Sequence, residues 1–123
     1  MASDHVTLRI PGLCAGADLS AKQFCAVKAA STAGEVVAVS AGSDDCIGIL
    51  YNTPGDGAAA EVAAGGLLKG KAGGSISAGA LVSFGSSATL VAADSTSNIV
   101  IGYAVEAAES GDVFSFVWQR SRY

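Results

Sequence analysis

Residues 113–118 read Val-Phe-Ser-Phe-Val-Trp, which is the strongest strand signal in the sequence. Because side chains of a β-strand alternate between its two faces, Phe114, Phe116 and Trp118 share one face and the two valines and the serine share the other. The stretch holds two of the four phenylalanines and the only tryptophan. It predicts a central core strand with Phe114 and Phe116 buried. Trp118 can belong either to the core or to a subunit interface, where tryptophan is enriched.

Short apolar, β-branched runs separated by Gly, Asn, Asp and Ser recur along the chain and predict strands joined by tight turns. Sixteen glycines interrupt nearly every window that is long enough for a helix. The one weak helical signal is a single turn at residues 18–23, which Asp18 or Ser20 could cap. The eight predicted strands are Gln23–Lys28, Glu35–Val39, Ile47–Leu50, Ala59–Ala63, Leu67–Lys71, Leu81–Phe84, Ile99–Val105 and Val113–Gln119.

A faint internal repeat links two of these regions. Ile47-Gly48 is followed by Gly55-Asp56, and Ile101-Gly102 is followed by Gly111-Asp112. Each copy is typical of a strand, a turn and a returning strand, so each predicts a hairpin. Two equivalent hairpins suggest a pseudo-symmetric barrel or sandwich, although chance repeats are common where Gly and Ala are abundant. The predicted class is a compact, single-domain, all-β fold with Gly-rich turns.

The first residues differ in character, and we divide the chain into an N-terminal arm, residues 1–16, and a β domain, residues 17–123. Val6, Leu8 and Ile10 alternate with Thr7 and Arg9, and a Pro-Gly pair at residues 11–12 is expected to end this strand. Two interpretations stay open: an ordinary first strand of the fold, or a strand that pairs with a sheet edge of another chain.

Composition and charge exclude several classes of function. The formal net charge is −4, whereas binding to phosphate backbones needs a basic patch, so nucleic acid is not an expected partner. No apolar run is long enough to span a membrane, and the first residues lack the pattern of a signal peptide. Three cysteines, Cys14, Cys25 and Cys46, with one histidine, His5, do not make a zinc site. We expect buried free thiols in a reducing cytosol.

Other motifs have simpler structural explanations. Residues 65–72 match the phosphate-binding pattern G-x-x-x-x-G-K, but Ala72 replaces its Ser or Thr and a Gly-Gly pair follows where a helix is required. Asp44-Asp45 and Asp56 are typical of exposed turns rather than of a carboxylate or calcium site. The single histidine lies near the chain start, which argues against a catalytic triad. We therefore predict no catalytic, metal-binding or cofactor-binding residues and no cofactor.

The order of several blocks resembles the family of small capsid cement, or decoration, proteins of tailed phages. The resemblance runs from about Ala17 to Val117 and does not cover the residues before Ala17. It implies a β-barrel-like or β-tulip domain, usually trimeric, that sits on the outer capsid surface and locks neighbouring capsomers together, without catalytic residues. The blocks that carry the resemblance are Ala17–Lys28, Cys46–Pro54, Ala58–Val62, Ile76–Val82, Ile101–Ala104 and Gly111-Asp112.

The resemblance thus implies a homotrimeric phage decoration protein that is made in the host cytoplasm and binds the major capsid protein on the outside of the virion. Candidate contacts are Val6, Leu8, Arg9 and Ile10 for the capsid and Trp118 for the subunit interface.

Three alternatives remain. One is another β-structural protein of the virion or of an appendage. Another is a ligand-binding module of the β-clip type, since residues 76–82 resemble its signature. The third is a biotin or lipoate carrier that uses Lys69 or Lys71, although the residues typical of such sites are absent around them.

Overall fold

A computed structural model describes residues 4–94 and 99–122 of the chain. Within these ranges the chain forms eleven β-strands and no helix, so the predicted all-β class is confirmed. The strands are β1 His5–Val6, β2 Arg9–Ala15, β3 Ala26–Ala29, β4 Glu35–Ala38, β5 Cys46–Leu50, β6 Ala59–Ala63, β7 Gly66–Lys71, β8 Leu81–Phe84, β9 Leu90–Ala92, β10 Ile99–Ala104 and β11 Val113–Arg122.

The strands form two β units. Five of them close into a barrel in the order β2-β4-β3-β5-β6, in which only β2 and β4 are parallel. The other six form a sheet in the order β1-β7-β11-β10-β8-β9. This sheet also curls towards closure, because Ala72, just after β7, bridges Leu90 of β9. Closure leaves few unpaired strand edges, which protects a sheet from pairing with other chains by accident.

The two units share the larger of two hydrophobic cores. β11 lies inside the sheet, and its Phe114 and Phe116 are buried, as predicted. The centroids of the two rings lie 5.9 Å apart. The same core contains Cys46 and Ile49 from the barrel strand β5. A smaller core around Val27 and Leu50 fills the barrel interior. Because neither unit closes the larger core alone, the two units make one domain.

Most predicted strands lie within three residues of the observed ones, and those of β6 and β8 match at both ends. Strand β9 was missed because its three residues are too few to show a period. The predicted helical turn at residues 18–23 is wrong: Asp18 Oδ1 instead accepts a hydrogen bond from the Ser20 amide at 3.1 Å, which favours a turn.

The predicted hairpins are confirmed as β5–β6 in the barrel and β10–β11 in the sheet. Gly48 and Gly102, the glycines of the internal repeat, each lie where the pairing register shifts, which marks a β-bulge. A Cβ on Gly48 would lie 2.6 Å from Val62 Cγ1, and one on Gly102 would overlap the carbonyl oxygen of Val117. The partner strand therefore comes too close at these points for any side chain.

The N-terminal segment has partners within the chain. β1 pairs with β7 of the sheet, and β2 pairs with β6 and β4 of the barrel. The predicted strand end at Pro11 is wrong, because the register with β6 shifts between Ile10 and Leu13. Pro11 and Gly12 lie in this bulge, where Gly12 adopts a φ of +84°, and the strand continues to Ala15.

We expect Gly102→Ala to lower the free energy of unfolding by about 2 to 4 kcal/mol, because backbone strain and overpacking each cost on the order of 1–3 kcal/mol. Gly55→Ala is the matched control, since a Cβ there meets nothing within 4 Å. The control should stay within about 0.5 kcal/mol of the parent. Urea unfolding measures both, and equal stabilities of the two variants would contradict the assignment of Gly102 to a close strand contact.

Candidate interaction surface

One row of side chains crosses five strands of the six-stranded sheet on the face that points away from the core. His5, Leu67, Val117, Tyr103 and Leu81 pair with one another in that order, from β1 through to β8. Paired residues project from the same face of a sheet. Four spacings between neighbouring strands of about 4.8 Å give the row a length of about 19 Å. None of its residues is Asp, Glu, Lys or Arg.

Two further apolar side chains extend this row along the β10–β11 hairpin. The amide of Val105 donates to the Ser115 carbonyl at 3.2 Å, which continues the antiparallel pairing and places Val105 opposite Ser115, on the same face as Val113 and Val117. Val105 is 51% exposed, and Tyr103, Val113 and Val117 are each about 40% exposed. We call the row and this extension the apolar face. It consists of His5, Leu67, Leu81, Tyr103, Val105, Val113 and Val117.

A cleft of about 300 Å³ adjoins the Val113 end of the apolar face, and its walls include Phe24 and Lys71. Phe24 has a φ of +65°, which is rare for a bulky residue. Its amide donates to Leu50 at 2.6 Å, and its carbonyl accepts from the Lys71 amide at 2.9 Å. This residue, which lines the cleft, therefore ties barrel strand β5 to sheet strand β7.

Tyr51 strengthens the same junction between the barrel and the sheet. Its ring meets the Phe24 ring edge-on, with 5.3 Å between the centroids. Its hydroxyl oxygen accepts a hydrogen bond from the Lys69 amide at 2.7 Å. Burial raises the pKa of Tyr51 to about 12, so the hydroxyl stays protonated at neutral pH. The Arg9 guanidinium lies 5.5 Å from the centre of the ring.

Residues 15–119 match the family model of the phage cement proteins. The chain belongs to this family. The resemblance that the sequence blocks indicated is thereby confirmed. Membership places the chain among the structural proteins of phages that associate with the capsid. A search of curated proteins found no significant match.

A solved structure shares the fold of this cement protein. It is the N base of the head fibre gp8.5 of bacteriophage phi29, which aligns with a TM-score of 0.69. The two chains are 22% identical, and the alignment covers 94% of this chain and 97% of the other. At this identity the likeness concerns the fold, and it extends over both chains nearly from end to end.

The structure separates the four predicted capsid contacts into two pairs. Val6 packs against the larger core and Ile10 against the barrel core. Leu8 is 54% exposed, and Arg9 is exposed above Tyr51. The predicted alternation fails at Leu8 because residues 7 and 8 lie between two strands, where the chain passes from the sheet to the barrel. Leu8 and Arg9 are therefore the more accessible pair, whereas Val6 and Ile10 are partly buried.

Trp118 packs against the larger core while remaining partly exposed, so its position fits both interpretations offered for it.

The sequence analysis did not identify Tyr103 and Val105 as surface residues. The alternation in β11 already indicated part of this surface, because Val113 and Val117 lie on the face opposite the two phenylalanines. A strand that is apolar on both faces is typical of sheets that are covered on both sides.

The thiols of this cement protein lie partly or wholly in its interior. All three cysteines are free thiols, with Cys25 and Cys46 buried and Cys14 half-buried. Burial raises the pKa of Cys46 to about 11, which disfavours the reactive thiolate. Over the described ranges, no three His, Cys, Asp or Glu side chains are grouped so that they could hold a metal ion. Among the same residues, no helix is long and apolar enough to cross a bilayer.

Asp44 organises a surface turn, as its sequence context predicted. Its Oδ2 accepts hydrogen bonds from the amides of Ser40 at 2.8 Å and Ala41 at 3.1 Å, and it pairs with Lys28 at 3.1 Å. The hydrogen bond from the Ser40 amide, followed by that from Lys28, lowers the pKa of Asp44 to about 2. The neighbouring Asp45 forms an exposed ion pair with Arg120 at 3.0 Å.

We expect acid to destabilise the protein partly through Asp44. Its pKa in the folded state, about 2, lies below the ordinary value of 3.8 for an aspartate side chain, so the stabilisation is present above pH 4 and is lost as the pH falls through 2. Asp44→Asn should therefore lower the melting temperature at pH 7 and flatten its decline between pH 4 and pH 2. Asp56→Asn, in another exposed turn, is the control. A parallel decline for the parent and Asp44→Asn would disprove this role.

Proposed function

We propose that the chain is a capsid decoration protein, which binds the outer surface of the phage head and stabilises contacts between neighbouring capsomers. The observation that carries this proposal is the match to the phage cement family over residues 15–119. Cementing two neighbours requires a rigid body with surfaces complementary to both. A curled sheet and a closed barrel that share one core supply such a body.

The proposed role is not enzymatic and uses no cofactor. It depends on surface shape and polarity rather than on a reactive group, and fold alone never specifies a catalytic activity. The net charge of −4 supports binding to protein rather than to the nucleic acid packaged within the head.

Two contacts are proposed for this role. Leu8 has the largest exposed fraction of the large hydrophobic side chains described. Together with Arg9 it is the proposed capsid contact of the N-terminal segment. The exposed part of Trp118 is the proposed contact between subunits of a homotrimer, since tryptophan supplies a large area at low entropic cost. Three linked copies would attach more firmly than one, because the second and third contacts become intramolecular.

A second candidate is the base on which a capsid appendage is mounted. The likeness to the N base of the phi29 head fibre favours it. Both candidates attach to the head, but an appendage base also requires a further chain segment or a partner that projects outward.

We expect the purified protein to co-sediment with undecorated heads of its own phage and to saturate at a fixed number of copies per head. Decorated heads should withstand a higher temperature, because capsomer contacts are reinforced. Leu8→Ser should weaken attachment, while Ala41→Ser, an exposed loop change, should not. A parent protein that stays in the supernatant at every concentration would refute decoration. An appendage visible by electron microscopy on native heads at the attachment position would favour the second candidate.

Light scattering in solution should give three times the mass of the chain. Trp118→Ala should shift this equilibrium towards the monomer, because truncation of a buried interface aromatic typically costs about 2 kcal/mol or more. Phe114→Leu, a change deep in the core, is the control for loss of stability without loss of an interface. A trimer that survives Trp118→Ala with unchanged concentration dependence would remove Trp118 from the interface.

A further inference from the structure

We propose that the apolar face and its adjoining cleft form the surface on which the major capsid protein docks. This inference rests on the proposed decoration role and names the surface that would perform it. The face is distinct from Leu8 and Arg9, which lie in the connection between the sheet and the barrel.

The first argument is that one row on the outward face of the sheet has the composition of a covered surface, although Lys69 and Lys71 lie beside it on the same face. Four of the five exposed large hydrophobics in the described part of the chain lie on the β10–β11 hairpin: Tyr103, Val105, Val113 and Val117. Depletion of charge and enrichment of aromatics distinguish the buried centre of an interface from ordinary surface. The row through Leu67, Val117 and Tyr103 has both properties.

The size of the face favours a capsid subunit over a second free copy of this chain. The row is about 19 Å long, and four residues along β11 add about 14 Å in the other direction, which together give a footprint of about 260 Å². A stable interface between two proteins buries about 800 Å² on each side. Two free copies would therefore be held weakly through this face. On a capsid, the same small contact recurs at every site and adds to the contacts of the other linked copies.

The residues of the cleft indicate which side chains of the capsid protein could bind there. Lys71 is the pairing partner of Val113, and Lys69 is that of Ser115, so both cations lie on the same face as the apolar residues. Phe24 supplies an aromatic wall next to Lys71. A volume of about 300 Å³ is at the lower end for ligand pockets and suits a protruding side chain. The geometry fits an apolar side chain of the capsid protein with acidic groups beside it.

The strained backbone of Phe24 supports a preformed cleft. A bulky residue at positive φ costs on the order of 1–3 kcal/mol and persists only where the surroundings fix it. Here two backbone hydrogen bonds, to Leu50 and from Lys71, hold it in place. A wall that is already ordered loses little entropy when a partner binds, which favours affinity from a small contact.

The test measures binding of purified variants to undecorated heads by co-sedimentation. Tyr103→Glu and Val117→Glu place a carboxylate on the face, and each should weaken binding by about tenfold or more, since a charge buried in an apolar contact must lose its water. Ala59→Glu, at an exposed position of barrel strand β6, is the matched control and should bind like the parent. Lys71→Gln should weaken binding and reduce its dependence on salt.

Melting temperatures and light scattering accompany each variant. Val117→Thr keeps the β-branched shape that suits a strand, so it should fold even if the glutamate variants do not, and it should bind more weakly than the parent.

The outcomes separate this inference from the decoration role. If the parent fails to bind heads, the decoration role itself fails and this inference with it. If the parent and all face variants bind equally, the decoration role stands and this inference is overturned. If the face variants dissociate the oligomer yet still bind heads as monomers, the face joins copies of this chain, which also overturns the inference.

Discussion

The packing of Phe114 and Phe116 into the core shared by the two β units is the constraint on which the rest of the structure depends. Burying a side chain of this size stabilises the fold by about 1.5–3 kcal/mol, and aromatic pairing adds to this. β11 can place both rings only if β7 and β10 pair on either side of it, as they do. Because the same core includes Cys46 and Ile49, the sheet holds the barrel in place.

The junction at Phe24 and Tyr51 extends this constraint to the surface. Phe24 bridges β5 and β7 through its backbone, and Tyr51 fixes the same two units through its hydroxyl. A hydrogen bond of this kind contributes about 1 kcal/mol net, but leaving either partner unpaired at this partly buried position would cost more. The result is a barrel and a sheet with a fixed mutual orientation and a cleft whose walls come from both units.

Membership of the phage cement family fits a structure in which the reactive groups lie in the interior or in turns. The thiols lie partly or wholly in the interior, and Asp44 is engaged in its turn. The outward face of the sheet carries a row of apolar side chains with Lys69 and Lys71 beside it. Glycines at the bulges, such as Gly102, keep the strands close enough to maintain that surface, because a side chain there would push β10 and β11 apart.

The sequence alone determined the local properties of the chain: the alternation of β11, the bounds of β6 and β8, the two hairpins and the order of blocks that resembles the family. The strands and hairpins depend on neighbours within about ten residues, which a pattern of side chains specifies directly, and the order of the blocks can be read along the chain without any contact between them. Only the tertiary structure decided which strands close into the barrel, why Leu8 turns outward, and that Leu67, Tyr103 and Leu81 form one row with Val117. Those features depend on the pairing register between strands far apart in sequence, and the shared core, rather than any local pattern, sets that register.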